Sequence, residues 1–280
     1  MTTIITKEPN KRQQQEIHSL VNTCKTYEPI HISFPEDFDS DDDYYYILLY
    51  DNGSLVATAA SYLIDACTCE VSAFTLPNHR RKGCFKSILS SIMHIYNLEK
   101  LNLLFLTDGA SPDTNAVLSH LDFEKGQTEY FMRRNIDKNL KDSNIQFIPS
   151  THIRRLALRH SKIFALSLKE STNYISNLLK MGAKAFDISL GDNPIGLCFF
   201  LMEREEAYLC GFGLLPAYQG QGYAKKALHG MMSFIPDPIK AITLQVSDNN
   251  KKALALYKDY GFTIVEQITE YRSILDERDI

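Results

Sequence analysis

The sequence repeats itself at a long, fixed interval. Four landmarks recur 139 residues apart, in the pairs Pro77 and Pro216, Arg80 and Gln219, Gly83 and Gly222, and Phe123 and Phe262. The tripeptide Thr-Glu-Tyr also recurs, at 128–130 and at 269–271, with two more residues in the interval. A repeat of this length indicates tandem structural units rather than one continuous fold. We therefore expect two copies of one domain.

The segment between the copies has the composition of a linker. Residues 135–144, NIDKNLKDSN, are polar and have no apolar periodicity. A chain of 280 residues with 44% hydrophobic residues can bury two ordinary cores. The predicted domains are residues 1–137 and residues 145–280.

Each copy alternates between helix and strand patterns. The first copy begins with a predicted helix at 13–24 and a hairpin signal at Asp51-Asn52-Gly53-Ser54, and the second has a similar turn at Gly191–Pro194. Each copy continues with a strand that ends at the repeated proline, a Gly-containing turn, a helix, a strand, a last helix and a last strand. This order predicts an α/β domain with helices on both faces of a sheet, built twice.

A glycine-rich turn between strand and helix carries the strongest functional signal. The turn spans 219–222, after an apolar strand and before a helix that opens at Tyr223. The first N–H groups of a helix lack partners within the helix and lie at the positive end of its dipole, so they attract phosphate. Gly220 and Gly222 allow a ligand to approach the backbone closely. The turn therefore predicts a pyrophosphate site.

The C-terminal copy resembles the GNAT superfamily of acyl-CoA-dependent N-acyltransferases. The signature of that family is Gln or Arg, two residues, Gly, one residue, then Gly or Ala, and Gln219, Gly222 and Ala224 match it. A second family signature is matched downstream by Asn250, Ala253, Leu256, Tyr257 and Gly261-Phe262. The resemblance covers residues 145–275 well and the first 137 residues more loosely. It implies an α/β fold of two tandem GNAT-like domains, each a mixed, mostly antiparallel sheet flanked by helices.

The resemblance also implies a cosubstrate and its contacts. Acetyl-CoA would donate the acyl group to an amine, either a small molecule or a peptide, and no metal is implied. In relatives the fourth strand pairs with the pantetheine arm and the loop amides hold the pyrophosphate. The matching residues here are Phe212, Gly213 and Leu214 for the arm, and Gln219, Gly220, Gln221, Gly222, Tyr223, Ala224 and Lys225 for the loop. Asn250 fits either a cofactor contact or a helix cap.

Two residues are candidates for acid and base. A tyrosine hydroxyl has an ordinary pKa of about 10, so Tyr257 carries a proton at neutral pH that it can give to a departing thiolate. The alternative for Tyr257 is an ordinary packed aromatic. Many relatives carry Glu where this chain has Gln245 or Tyr208. Glu206 is the candidate base, acting through a water, and its alternative is a solvated residue at a strand end.

The N-terminal copy departs from the family pattern at positions that matter for chemistry. Phe85 replaces the last small residue of the first signature, and Ser111 and Leu118 stand where the second has Asn and Tyr. We therefore expect this copy to be catalytically silent, with a structural or substrate-covering role. The function expected for the whole chain is N-acetyl transfer in the C-terminal copy. Its alternatives are a non-catalytic acyl-CoA-binding or sensing protein, and an acyltransferase in which both copies form one large acceptor cleft.

Composition limits the remaining classes of function. The net charge of −4 gives no reason to expect nucleic-acid binding, and no apolar run approaches the roughly 20 residues that cross a bilayer. The six cysteines have neither CxxC pairs nor nearby His clusters, which argues against a zinc site or a disulfide framework. The sequence predicts a soluble cytoplasmic enzyme.

Overall fold

The computed structural model describes residues 1–38, 43–97, 100–121, 123–137 and 144–276. The central part of the predicted linker, 138–143, lies outside the described residues. Within these ranges the strands are β1 (Thr2–Thr6), β2 (Tyr45–Asp51), β3 (Ser54–Leu63), β4 (Thr68–Thr75), β5 (Lys100–Thr107), β6 (Glu124–Asn135), β7 (Ile145–Pro149), β8 (Lys184–Leu190), β9 (Asn193–Glu203), β10 (Glu206–Leu214), β11 (Ala241–Ser247) and β12 (Thr263–Asp276). The α-helices are α1 (Lys11–Tyr27), α2 (Cys84–Tyr96), α3 (Pro112–His120), α4 (Ile153–Phe164), α5 (Leu168–Lys180), α6 (Tyr223–Phe234) and α7 (Lys251–Asp259).

The chain divides into two compact units that are not contiguous in sequence. The N-terminal unit consists of Met1–Thr128 together with the chain from Gln267 onward, and the C-terminal unit consists of Glu129–Glu266. This partition differs from the predicted domains, 1–137 and 145–280. The physical reason is that the last strand of each sequence copy pairs within the other unit.

The N-terminal unit is a mixed sheet with helices on both faces. Its strand order is β1-β2-β3-β4-β5-β12, and the pairings among these described strands are antiparallel except for the parallel pair β4–β5. The β2–β3 turn has positive φ at Asn52 and Gly53, as a two-residue hairpin of the predicted kind requires. Alternate residues of β2 enter two cores, Tyr46 and Leu48 on the side of α1 and Ile47 on the side of α2.

The C-terminal unit repeats this plan. Its strand order is β6-β11-β10-β9-β8-β7, and only β10–β11 is parallel among the pairings of these described strands. Leu197 and Phe199 of β9 pack with α4 and α5, whereas Cys198 and Phe200 enter the core beneath α6 and α7. The predicted fold class, two tandem domains that are each a mostly antiparallel sheet flanked by helices, is confirmed.

The exchanged strand β6 is an integral part of the C-terminal unit. Residues Glu129–Asn135 pair with all seven residues of β11. Met132 is fully buried in the core that α6 and α7 cover. Arg134 lies over the ring of Tyr260, 4.0 Å from its centroid, and donates a hydrogen bond to the Tyr260 carbonyl near the end of α7. The last strand of the first sequence copy therefore completes the second unit.

The helices and the cysteines bear on two expectations from the sequence. Across the described ranges, no helix combines the length and the apolar character needed to cross a membrane. All six cysteines are free thiols.

Shortening the buried methionine of β6 is expected to weaken the C-terminal unit selectively. Met132→Ala leaves a cavity that typically costs about 2–5 kcal/mol. Hydrogen exchange read by mass spectrometry should show faster exchange in β11, while β5 keeps its protection. The exposed Lys125→Ala on the same strand is the control. Equal loss of protection in β5 and β11 would contradict the assignment of this strand segment to the C-terminal unit.

Candidate active site

Two parallel strands of the C-terminal unit separate partway along their length. Glu206–Leu209 of β10 pair with Ala241–Leu244 of β11, and the pairing stops there. Beyond this point β10 continues through Cys210–Leu214 and β11 through Gln245–Ser247. The backbone groups that face the gap have no ladder partner across it, so they can bond to a ligand. We call this gap the C-terminal slot.

A β-bulge lies in β10 where the slot opens. Cys210 pairs with Phe199 and Gly213 pairs with Leu197, so Gly211 and Phe212 together oppose one residue of β9. Gly211 has a φ of +57°, a conformation that side chains disfavour. Bulged residues leave the regular ladder, which exposes their backbone groups. The bulge thus contains Phe212 and directly precedes Gly213 and Leu214, the other two predicted pantetheine contacts.

The turn after β10 has the geometry of an anion socket. The side chain of Gln219 donates a hydrogen bond to the Leu214 carbonyl at 2.8 Å, which fixes the start of the turn. Gly220 and Gly222 have φ values of +72° and +80°, and an added Cβ at either would meet open space. Gly222 is the N-cap of α6, and the first helical turn holds Tyr223, Ala224 and the exposed Lys225. The amide groups of the turn are therefore accessible to a phosphate.

Gln221 contributes to this turn in a different way from its neighbours. Its exposed side chain donates a hydrogen bond to the Ala217 carbonyl at 2.6 Å. The side chain thereby braces the short 3₁₀ turn of Pro216–Tyr218. Only the backbone of Gln221 is then left for the predicted pyrophosphate contact.

The N-terminal unit forms the same turn with different side chains. Arg80 donates from Nε to the Thr75 carbonyl at 3.3 Å, as Gln219 does to Leu214. Arg81 has a φ of +60° at the position that Gly220 occupies, and Gly83 has a φ of +83°. The backbone of the socket is thus retained although one glycine is lost.

Carboxylates neutralise the socket of the N-terminal unit. Both terminal nitrogens of Arg80 bind the Glu28 carboxylate, at 2.9 and 3.0 Å, and one of them also binds Asp113 at 3.0 Å. Arg81 binds the other Asp113 oxygen at 3.1 Å. The hydrogen bond from Arg80 lowers the pKa of Asp113, so this carboxylate stays ionised at neutral pH. The two carboxylates offset the charges of the two arginines, so this socket attracts a pyrophosphate less strongly.

In the N-terminal unit, β4 and β5 also pair over only four residues, and residues of both strands line a cavity of about 1000 Å³. Its lining includes Leu118 and the tilted pair Phe85 and Phe105, whose ring centroids lie 5.6 Å apart. The register of β4 on β3 runs without a bulge. Residues 30–33 cross near the strand ends, where the His31 amide donates to Asp108 at 2.6 Å and the Ser72 hydroxyl donates to the Ser33 carbonyl at 3.4 Å. The cavity therefore differs from the C-terminal slot in strand geometry and charge.

The helix after β11 places Asn250 and Tyr257. Asn250 is the N-cap of α7 and its side chain accepts the Ala253 amide at 3.2 Å, so the capping alternative is observed. The Tyr257 ring is buried in the core and packs edge-on against Phe262, with centroids 5.6 Å apart. The equivalent Leu118 is buried in the same way in the N-terminal unit.

Burial sets the chemistry of Tyr257. Loss of solvent raises the pKa of its hydroxyl, and Cys198 nearby adds to the rise. Tyr257 therefore remains protonated throughout the neutral range. No hydrogen bond joins its hydroxyl to another group in the described part of the chain. A protonated hydroxyl of this kind can donate to a ligand atom.

Glu206 lies at the closed end of the paired strands. It precedes the last parallel pair by three residues and is about 13 Å along β10 from Cys210, where the slot opens. Arg133 of β6 donates to its carboxylate at 2.9 Å. The separation of about 13 Å between Glu206 and the opening of the slot exceeds what one bridging water spans, so the position does not favour Glu206 as a base. Tyr208 and Gln245 lie nearer, joined by a hydrogen bond of 3.2 Å from the Tyr208 hydroxyl.

Helices α4 and α5 cover the bulge on the face of the sheet opposite to α6 and α7. Ile163 and Phe164 of α4 approach Gly213 so closely that a Cβ there would lie 2.4 Å from the Ile163 side chain. His160 of α4 accepts or donates at 3.1 Å to Ser171 of α5 and stacks on Tyr174 at 4.8 Å. Burial lowers the pKa of His160, so it stays neutral at pH 7. These packed rings hold the helix pair against the bulge.

Adding a methyl group at Gly213 is expected to displace α4. Overpacking of this kind typically costs about 1–3 kcal/mol, so Gly213→Ala should lower the urea midpoint of the C-terminal unit. Ile163→Ala removes the clashing atom. The double variant should therefore lose less stability than the sum of the two single variants. Strict additivity of the two losses would contradict the close contact.

Metal ligands are not grouped in this site. Among the ranges that the structure describes, no cluster of three or more His, Cys, Asp or Glu side chains is arranged to hold a metal ion.

Comparison with known proteins identifies this architecture. The family model described as acetyltransferase (GNAT) family matches residues 14–119 and 157–262. A search of the curated proteins finds no match to this sequence. The two matched ranges each contain one of the strand–turn–helix sockets.

Solved structures resemble the chain over nearly its full length. A GCN5-related N-acetyltransferase from Sphaerobacter thermophilus has a TM-score of 0.70 at 14% identity, over 98% of this chain and 96% of that one. A tandem GNAT protein from the clavulanic acid biosynthesis pathway has a TM-score of 0.64 at 10% identity, over 98% of both chains. An acetyltransferase of the GNAT family from Colwellia psychrerythraea has a TM-score of 0.59 at 14% identity, over 97% and 99%. The protein is a tandem-domain member of the acetyltransferase (GNAT) family, whose fold supports acyl transfer from acyl-CoA.

Proposed function

We propose that this protein is an N-acetyltransferase that moves an acetyl group from acetyl-CoA to an amine, with the chemistry in the C-terminal unit. Bound acetyl-CoA would supply an acyl group activated as a thioester. The acceptor is a small-molecule or peptide amine that attacks directly. The free thiols of all six cysteines fit a cytoplasmic enzyme.

The observation that carries the proposal is the difference between the two sockets. In the C-terminal unit Gly220 and Gly222 keep the turn open, and the first turn of α6 has no acidic residue. In the N-terminal unit Glu28 and Asp113 hold Arg80 beside the same turn. A pyrophosphate carries negative charge and prefers the socket without carboxylates. The described residues therefore favour cofactor binding in the C-terminal unit.

The residues of the C-terminal slot have complementary roles in this proposal. The backbone of Phe212 in the bulge, and of Gly213 and Leu214 just after it, would pair with the pantetheine arm. The amides of Gly220 to Lys225 would hold the pyrophosphate, with Gln219 bracing the turn. Tyr257 donates a hydrogen bond to the thioester sulfur and supplies the proton as the C–S bond breaks. Because burial disfavours tyrosinate, we expect this proton to move late, when the sulfur has developed most of its charge.

The second candidate function is acyl-CoA binding without turnover. It is favoured by one observation, that Tyr208 and Gln245 stand where many relatives carry a carboxylate, and that they bond to each other. A sensing protein of this kind would bind acetyl-CoA as tightly as an enzyme but would release no CoA in the presence of amines. A large acceptor cleft made by both copies is the remaining alternative.

A turnover assay separates these candidates. The purified full chain is mixed with acetyl-CoA and, one at a time, an alkylamine, an arylalkylamine, a polyamine, an amino sugar and a peptide with a free N-terminus. CoA release is followed with a thiol reagent, and mass spectrometry identifies the acetylated product. Amine-dependent release supports the enzyme, whereas acetyl-CoA binding without release from any amine supports the sensing protein.

Removing the Tyr257 hydroxyl is expected to slow turnover without loss of cosubstrate binding. Tyr257→Phe keeps the buried ring, so we expect kcat to fall by about 10²-fold while the Kd for acetyl-CoA changes little. Tyr260→Phe, three residues along the chain, is the matched control. Unchanged kcat for Tyr257→Phe from pH 6 to pH 9 would show that this hydroxyl is not the acid.

A further inference from the structure

The proposed chemistry needs a group that removes a proton from the acceptor amine. The two positions at which relatives often carry Glu hold the uncharged Tyr208 and Gln245. Glu206 lies at the closed end of the strands and is paired with Arg133. The base must therefore come from another element on the same face of the sheet.

The register of the strands identifies that face. Tyr208 bonds to Gln245, and Ser247 lies two residues further along β11, so all three side chains lie on one face. Directly opposite residues of an antiparallel pair also share a face. Phe131 pairs with Gln245 and Glu129 pairs with Ser247. Glu129 therefore lies on the face of Tyr208, opposite to that of the core beneath α6 and α7.

Along the strands, Glu129 lies at the open end. Its partner Ser247 is three residues beyond Leu244, the last residue of β11 that pairs with β10. Glu206 instead pairs with Ala241, which lies about 20 Å from Ser247 along β11. Glu129 and Glu206 are the carboxylates that the described strands β10, β11 and β6 of this unit carry on the face of Tyr208. Glu129 is one strand spacing, about 5 Å, from the wall that β11 forms beside the slot.

We propose that Glu129 is the general base for the acceptor amine, supplied to the C-terminal unit by the last strand of the N-terminal sequence copy. This inference rests on the proposed function. The amine nitrogen attacks the thioester carbonyl, the C–N bond forms and the C–S bond breaks. The proton of the amine passes through water to the Glu129 carboxylate, and then to solvent. The proton of Tyr257 passes to the sulfur, and Tyr257 regains a proton from solvent before the next turnover.

The electrostatics of Tyr208 support this placement. Burial raises the pKa of the Tyr208 hydroxyl, and the charges of Cys210 and Glu129 add to the rise. A carboxylate influences a phenol in this way only when it is close. The other charged neighbours on this face, Arg133 and Glu206, are paired with each other. Glu129 is therefore close to Tyr208 and lies toward the open end of the slot.

The repeat provides a matched control. Glu129 and Glu270 are the central residues of the two Thr-Glu-Tyr sequences, and each lies in a strand exchanged between the sequence copies. Glu270 belongs to the N-terminal unit and accepts from Arg272 at 3.1 Å. Glu270→Gln therefore makes the same chemical change in the unit that we propose to be silent.

The kinetic test uses the panel amine with the highest kcat/KM. Glu129→Gln should lower kcat/KM by about 10²-fold near pH 7. The deficit should shrink toward pH 9, because more of the amine is already deprotonated in solution. Glu270→Gln and Glu206→Gln should retain nearly full activity. If the wild type turns over but Glu129→Gln keeps full activity, or shows a deficit that does not change with pH, the role of Glu129 is overturned and the proposed function stands.

A second readout does not depend on turnover. With tyrosine labelled by ¹³C at Cζ, the alkaline titration of Tyr208 is followed by NMR, and Tyr208→Phe assigns its resonance. Glu129→Gln should lower the pKa of Tyr208 because a neighbouring negative charge is removed, whereas Glu270→Gln should leave it unchanged. An unchanged Tyr208 pKa in Glu129→Gln would overturn the placement. Absence of turnover by the wild type with every amine would instead overturn the proposed function, and the inference with it.

Discussion

In the C-terminal unit, β10 and β11 share only four pairs of residues before they separate, and this short ladder determines the rest of the site. Where it stops, backbone groups of both strands lose their partners and need others. The bulge at Gly211 and Phe212 lies where the slot opens, and the N-terminus of α6 follows at Gly222. A long ligand with an amide-rich arm and a pyrophosphate satisfies both needs together.

The exchange of terminal strands makes each unit depend on both sequence copies. The C-terminal core includes Met132, and Arg134 packs over Tyr260, so β6 contributes both apolar contacts and a cation to this unit. The N-terminal unit in turn takes its last strand from the end of the chain. Each unit therefore depends on both halves of the sequence. In the proposal of Glu129 as base, the exchanged strand contributes chemistry as well as stability.

Much of this structure could be predicted from local sequence, because its signals act over a few residues. The hairpin at Asn52-Gly53 and the socket at Gly220 and Gly222 need positive φ, which glycine and asparagine supply. The strand exchange could not be predicted, because the alternation of a strand is the same in whichever sheet it pairs. The neutralised socket was also missed, since Glu28 is distant in sequence from Arg80. The repeated Thr-Glu-Tyr was visible in the sequence, but the position of Glu129 opposite Ser247 required the pairing register of β6 and β11.

The most direct measurement is the number and location of acetyl-CoA sites, by calorimetric titration of the full chain. Gly222→Glu and Gly83→Glu form a matched pair, because both glycines are helix N-caps with φ near +80° and open space at Cβ, so the backbone strain is equal. We expect one site per chain that Gly222→Glu abolishes and Gly83→Glu preserves. A site that survives Gly222→Glu, or is lost in Gly83→Glu, would contradict catalysis in the C-terminal unit.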